Sequence, residues 1–176
     1  ANPVAATRWT VLTAAPHRLA FLCGLASLLA ASLWWGLHLV ARYSGTPLFA
    51  LDLGVAPIWA HSFLMLFTVL PTFFLGFLFT TYPRWMNGPL VPRLAYVAAP
   101  LLLTAGTACW LVGVHTALPL QLVAAALVTA GLATALVALL RVLLDAQQVV
   151  SHAIVTSTAF AIGVVCAAGF GYGLWA

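Results

Sequence analysis

Residues 58–81 read IWAHSFLMLFTVLPTFFLGFLFTT, an apolar run without a single Asp, Glu, Lys or Arg. A bilayer core of about 30 Å takes about 20 residues of helix to cross, and lipid offers no partner to an unpaired backbone group. The run therefore reads as a transmembrane helix. Four more uncharged apolar runs flank it, at Leu19–Val40, Leu94–Val114, Leu118–Leu140 and Ala153–Trp175. The expected fold class is an all-α membrane protein, one domain over residues 1–176 with about five transmembrane helices. Short connections make successive spans antiparallel.

The whole composition agrees with that stretch. Sixty-five per cent of the chain is apolar and 5% charged, against roughly 25% charged in an ordinary soluble domain. The formal net charge of +4 comes from six arginines and two aspartates. They are scattered between the runs rather than gathered into a stripe, which excludes nucleic-acid binding. Leu19–Val40 is longer than the apolar core of a cleaved signal, and no small-residue cleavage site follows it, so it is expected to stay in the membrane. Cys23, Cys109 and Cys166 lie inside apolar runs without CxxC spacing; each reads as a small buried side chain, with no disulfide.

Five alternating spans place Arg8, Arg18, Arg84, Arg93 and Arg141 on one side and Arg42 on the other. The positive-inside rule makes the arginine-rich side cytoplasmic, with the N-terminus inside. Trp34, Trp35, Trp59, Trp110 and Trp175 then fall near the outer ends of their spans, as an aromatic belt does. The stretch Ala41–Pro57, with Ser44-Gly45-Thr46-Pro47, Asp52 and Gly54, reads as a long outer loop and the most exposed contact surface. Pro71 is expected to kink the second span. Gly163, Ala167 and Gly171 give the fifth span a small-residue face on which another helix can pack closely.

The orientation gives depth to the histidines. His38 ends the first span, His61 lies one turn into the second and His115 closes the third, all at the outer end. An imidazole within a span is costly to strand in lipid and so reads as functional. Met65 shares the face of His61 at i+4, and Thr68 and Thr72 continue it, while Phe63, Phe67, Phe74 and Phe77 occupy the opposite side and suit lipid or a flat apolar cofactor. Imidazoles from facing helices can hold a haem iron, and an imidazole with a thioether suits haem or cuprous copper. His61, His38, His115 and Met65 are therefore the candidate cofactor-binding residues, with His61 and Met65 the candidate metal ligands. The competing reading is an interfacial histidine bonded to water or to a loop. His17 and His152, at the other end, are expected to cap a helix or hydrogen-bond locally.

Independent catalysis finds little support. Asp52 and Asp145 sit on opposite sides of the membrane and cannot act as a pair. No phosphate-binding loop, HExxH helix or GxSxG elbow occurs. Any electron transfer would need a bound cofactor.

The stretch Trp59-Ala60-His61-Ser62-Phe63-Leu64-Met65-Leu66-Phe67, followed by Gly76-Phe77-Leu78-Phe79-Thr80-Thr81-Tyr82-Pro83-Arg84-Trp85-Met86-Asn87-Gly88, resembles the NnrS family of bacterial haem- and copper-containing membrane proteins. His17-Arg18-Leu19-Ala20-Phe21-Leu22 is similar to that family's opening motif. The resemblance implies a haem, of b type, in the bacterial inner membrane and a role linked to nitric oxide or denitrification. It places His61 on the first histidine of the family's pattern and Met65 on its methionine. The second histidine is Phe63 here and the glutamate is Leu64. That loss points to a relative that keeps a haem without copper, or one that lacks both. The family's proteins have roughly twelve spans, so five imply a half-length version or part of a longer polypeptide. A cofactor-free accessory subunit, packed through Gly163, Ala167 and Gly171 against other subunits of a respiratory complex, is the alternative.

Overall fold

A computed structural model describes residues 8–45 and 55–176. Five helical spans, Pro16–Ser44, Pro57–Trp85, Arg93–Thr116, Leu118–Leu144 and Ser151–Trp175, are long and apolar enough to cross a membrane. They coincide with the five apolar runs, overrunning them by a few residues. Hydropathy marks what lies in hydrocarbon, whereas backbone hydrogen bonding continues through the interface. The first span has 29 residues, which at 1.5 Å each gives about 44 Å of helix, well beyond the bilayer core. The loop expected from Ala41 consequently starts later. Ala41–Ser44 remain helical, and Gly45, at φ 68°, ends the helix in the left-handed conformation that glycine adopts without strain. Residues 46–54 of that expected loop, Asp52 among them, lie outside the described residues.

In chain order the helices are α1 (Arg8–Leu12), α2 (Pro16–Ser44), α3 (Pro57–Phe63), α4 (Leu70–Trp85), α5 (Arg93–Thr116), α6 (Leu118–Leu144) and α7 (Ser151–Trp175), with a π-helical segment, Leu64–Val69, joining α3 to α4. Proline occupies the first turn of α2, α3 and α6, where its missing N–H costs no helical bond. The short α1 has no counterpart among the apolar runs. Its end is tied to the bundle by Arg18, which donates to the Val11 carbonyl, by Arg93, which donates to Thr13 Oγ1, and by Tyr96, which donates to the Thr13 carbonyl.

The expected disturbance at Pro71 takes the form of the π segment just ahead of it, where the Leu70 N–H reaches back five residues to the Met65 carbonyl. Wider turns rotate everything beyond them relative to a uniform 100° count, and two expectations fail for that reason. Phe63 does not face lipid with Phe74 and Phe77; it is 1% exposed, in the core, whereas the other two are exposed. Thr68 and Thr72 are fully buried, and their hydroxyls donate to the carbonyls of Leu64 and Thr68. They patch the helix around the proline and do not extend a ligating seam.

The α5–α6 hairpin and the α6–α7 pair are the main helix contacts, with α2 packed on α4 and α5. Small residues set the approach. A Cβ built on Gly106 would lie 2.6 Å from Val128 Cγ2 and 3.2 Å from the Ala124 carbonyl. Gly106→Ala is accordingly expected to push α5 off α6 and cost about 1–3 kcal/mol, read as a lower melting temperature in detergent. The small face of α7 is used in the same way. Ala167 is fully buried, and Cβ atoms on Gly163 and Gly171 would meet Leu132 and Ala125 of α6 at 3.9 and 3.0 Å. The helix that this face receives is α6 of the same chain, with Gly163 and Gly171 half-buried.

Candidate functional site

Alternating direction brings the end of α2, the start of α3 and the end of α5 to one end of the bundle, with Arg18, Arg84, Arg93 and Arg141 at the other. On α2, Trp34 and Trp35 precede His38 by four and three residues, the spacing at which helical side chains meet. The His38 ring stacks on both indoles, at 5.8 Å and 14° from Trp34 and at 5.8 Å and 19° from Trp35. Trp35 also stacks on His61 of α3, centroids 4.4 Å apart at 14°. Trp34 reaches α5, where its Nε1–H donates to His115 Nε2 at 2.8 Å. Two indoles from a single helical turn thus join three imidazoles from three helices.

The three rings are not equivalent. His115 Nε2 is already occupied as an acceptor, so the proton of the neutral ring sits on Nδ1. His38 Nδ1 and His61 Nδ1 are buried and have no hydrogen-bond partner among the described residues. A buried polar atom left unmet costs about 1–3 kcal/mol, and in native proteins it commonly marks a bound water, ion or cofactor. Stacking does not block ligation, because it occupies the ring face while the nitrogen lone pairs lie in the ring plane.

Beneath this layer lies a packed aromatic floor. Phe63 stacks on Trp110 at 4.2 Å and approaches Phe170 at 4.9 Å. Trp110 is fully buried and donates Nε1–H to the Ala60 carbonyl, the residue before His61. It belongs to the core and not to the expected interfacial belt; Trp59 and Trp175, 64% and 69% exposed, fit that belt. Met65, in the π segment below His61, is half-buried and packs against the core. Leu64, which stands where the family pattern has glutamate, is fully buried.

The remaining candidates stand apart. His17 Nδ1 lies 3.5 Å from Thr80 Oγ1, and His152 meets Trp85 edge-on at 4.8 Å, both at the arginine-rich end. The cysteines are free; Cys23 is buried, Cys109 half-buried, and Cys166 exposed rather than buried as expected. No three His, Cys, Asp or Glu side chains group as a metal cage among the described residues.

The motif after Gly76 has a structural use. Asn87, at φ 47°, follows the end of α4, and the Gly88 N–H bonds the Pro83 carbonyl at 2.9 Å, a left-handed helix stop. The α6–α7 connection docks there, with Gln148 donating to the Trp85 and Met86 carbonyls and Asn87 donating to Gln147.

Five apolar spans with an imidazole–indole cluster at one end define a multi-pass membrane protein. The family model described as NnrS protein matches residues 11–176. The chain belongs to the NnrS family. No curated protein and no solved structure matches it significantly.

Proposed function

We propose that the chain is an NnrS-like haem-binding protein of the bacterial inner membrane, its arginine-rich end cytoplasmic, with His38 and His61 holding a b-type haem near the outer face. The observation that carries this reading is the pair of buried Nδ1 atoms on two helices, unpartnered among the described residues, with both rings stacked on Trp35. Imidazole is a common haem ligand, and the surrounding apolar floor supplies the low-polarity setting that such a cofactor requires. When bound, the haem would supply diatomic-gas binding or one-electron transfer. The chain's own residues bind it, orient it through Trp35 and exclude water through Phe63 and Trp110. Independent catalysis is not part of this proposal. The link to nitric oxide or denitrification rests on the family.

Copper is the weaker reading, since it would leave His61 and Met65 without the second histidine and the carboxylate of the family pattern. A cofactor-free accessory subunit has less support, because Ala167 of its expected docking face is fully buried within the chain. Protein purified in detergent from cells supplied with haem is expected to show a Soret band and iron in proportion to protein. A colourless preparation whose absorption stays that of free haem on titration would overturn the proposal.

A further inference from the structure

At the opposite end of the bundle, a groove of about 380 Å³ runs between α5 and α6, lined by Ala95, Ala133, Thr134, Val137, Ala138 and Arg141. That volume lies within the range of about 300–1,000 Å³ typical of small-ligand sites. Ala133 to Arg141 covers about 12 Å of helix, from within the apolar span to its arginine-rich end. The trough is apolar in effect, because the Thr134 hydroxyl is turned back to the Ala130 carbonyl at 2.8 Å. Val137 and the neighbouring Leu94 are exposed, so the groove opens where the bilayer lies.

Charge sits at one end only. Arg18 and Arg93 give their guanidinium groups to the α1 segment. The Arg141 guanidinium has no hydrogen bond or ion pair among the described residues, although Asp145, whose backbone N–H bonds the Arg141 carbonyl, lies one turn further along. A guanidinium above an apolar trough at membrane depth matches a phosphate above an acyl chain.

We propose that this groove holds one anionic phospholipid, its phosphate on Arg141 and the upper part of an acyl chain along the alanine-lined trough. The planar guanidinium can engage two phosphate oxygens at once. Arg93, between the lining residues Pro92 and Leu94, adds to the attraction for a net negative headgroup. A zwitterionic lipid carries a cation that this field repels, so the site selects by charge. The proposal stands independently of the histidine cluster.

Detergent-solubilised protein, offered an equimolar mixture of phosphatidylglycerol and phosphatidylcholine, is expected to retain one phosphatidylglycerol in native mass spectrometry. Arg141→Gln is expected to reduce that retention roughly tenfold, the scale of a lost charge-assisted contact, and Arg141→Lys to give an intermediate value. Thr134→Phe fills the trough while leaving the charge, and is expected to weaken retention as well. All three changes fall on exposed or half-buried positions, and helical circular dichroism checks that each variant is folded. Equal retention of both lipids by the wild type, or an unchanged preference in folded Arg141→Gln, would overturn the proposal. Unchanged retention in Thr134→Phe would do so as well.

Discussion

Replacing Trp110 with alanine is expected to lower stability by about 3–5 kcal/mol, the range for deleting a large buried aromatic side chain. In a bilayer the loss is not one of hydrophobic transfer, since lipid is as apolar as the helix interior; it is lost packing and a lost hydrogen bond. The indole is fully buried, with Phe63 stacked on it and Phe170 beside it. Its N–H donates at 3.2 Å to the Ala60 carbonyl, which also accepts the Leu64 N–H at the entrance to the π segment. Alanine would leave a cavity at the junction of α3, α5 and α7 and loosen the turn that carries His61. Trp110→Phe keeps most of the volume and forfeits only the hydrogen bond, with an expected loss of about 1 kcal/mol. Unfolding in mixed micelles measures both. Equal midpoints for wild type and Trp110→Ala would show that the aromatic floor does not hold these helices together.

The five spans were legible because the cost of unpaired backbone in lipid forces long uncharged runs to be helices, and hydropathy records that constraint directly. What the runs could not convey was rotational phase. A count at a uniform 100° put Phe63 on the lipid side and Thr68 and Thr72 on the His61 face; the π turn ahead of Pro71 invalidates that count over these residues. Depth was legible in a similar way, since His38, His61 and His115 do lie at one end of the bundle. Their partners were not. Trp34 and Trp35 read as belt residues because an amphipathic ring suits an interface, and nothing local distinguishes an indole facing headgroups from one stacked on an imidazole of another helix. The signal available was spacing: Trp34 and Trp35 stand one turn before His38, so part of the cluster could have been found on α2 alone. Trp110 failed as a belt residue for a related reason. Its place near a span end says nothing about whether its face of α5 meets lipid or α3.

Among single histidine replacements, His61→Ala and His38→Ala are each expected to abolish haem retention, while His115→Ala keeps it. The asymmetry follows from what each ring already does. His115 spends Nε2 on the Trp34 N–H, and losing it strands that donor at an expected cost of about 1 kcal/mol in stability. Among the described residues, His38 and His61 each keep a buried nitrogen with no such obligation. Trp35 stacks on both rings, so Trp35→Leu is expected to weaken haem binding without abolishing it, by releasing the rings from parallel alignment. Soret absorbance and iron content of the purified variants, with circular dichroism to confirm folding, read the whole series. Met65→Leu separates the metals: the haem spectrum stays if the two imidazoles are sufficient, whereas a cuprous site would lose affinity on titration. If His115→Ala bleached the protein and His38→Ala did not, the ligand pair would be His61 with His115. The partnering of Trp34 would then have to break when the cofactor enters.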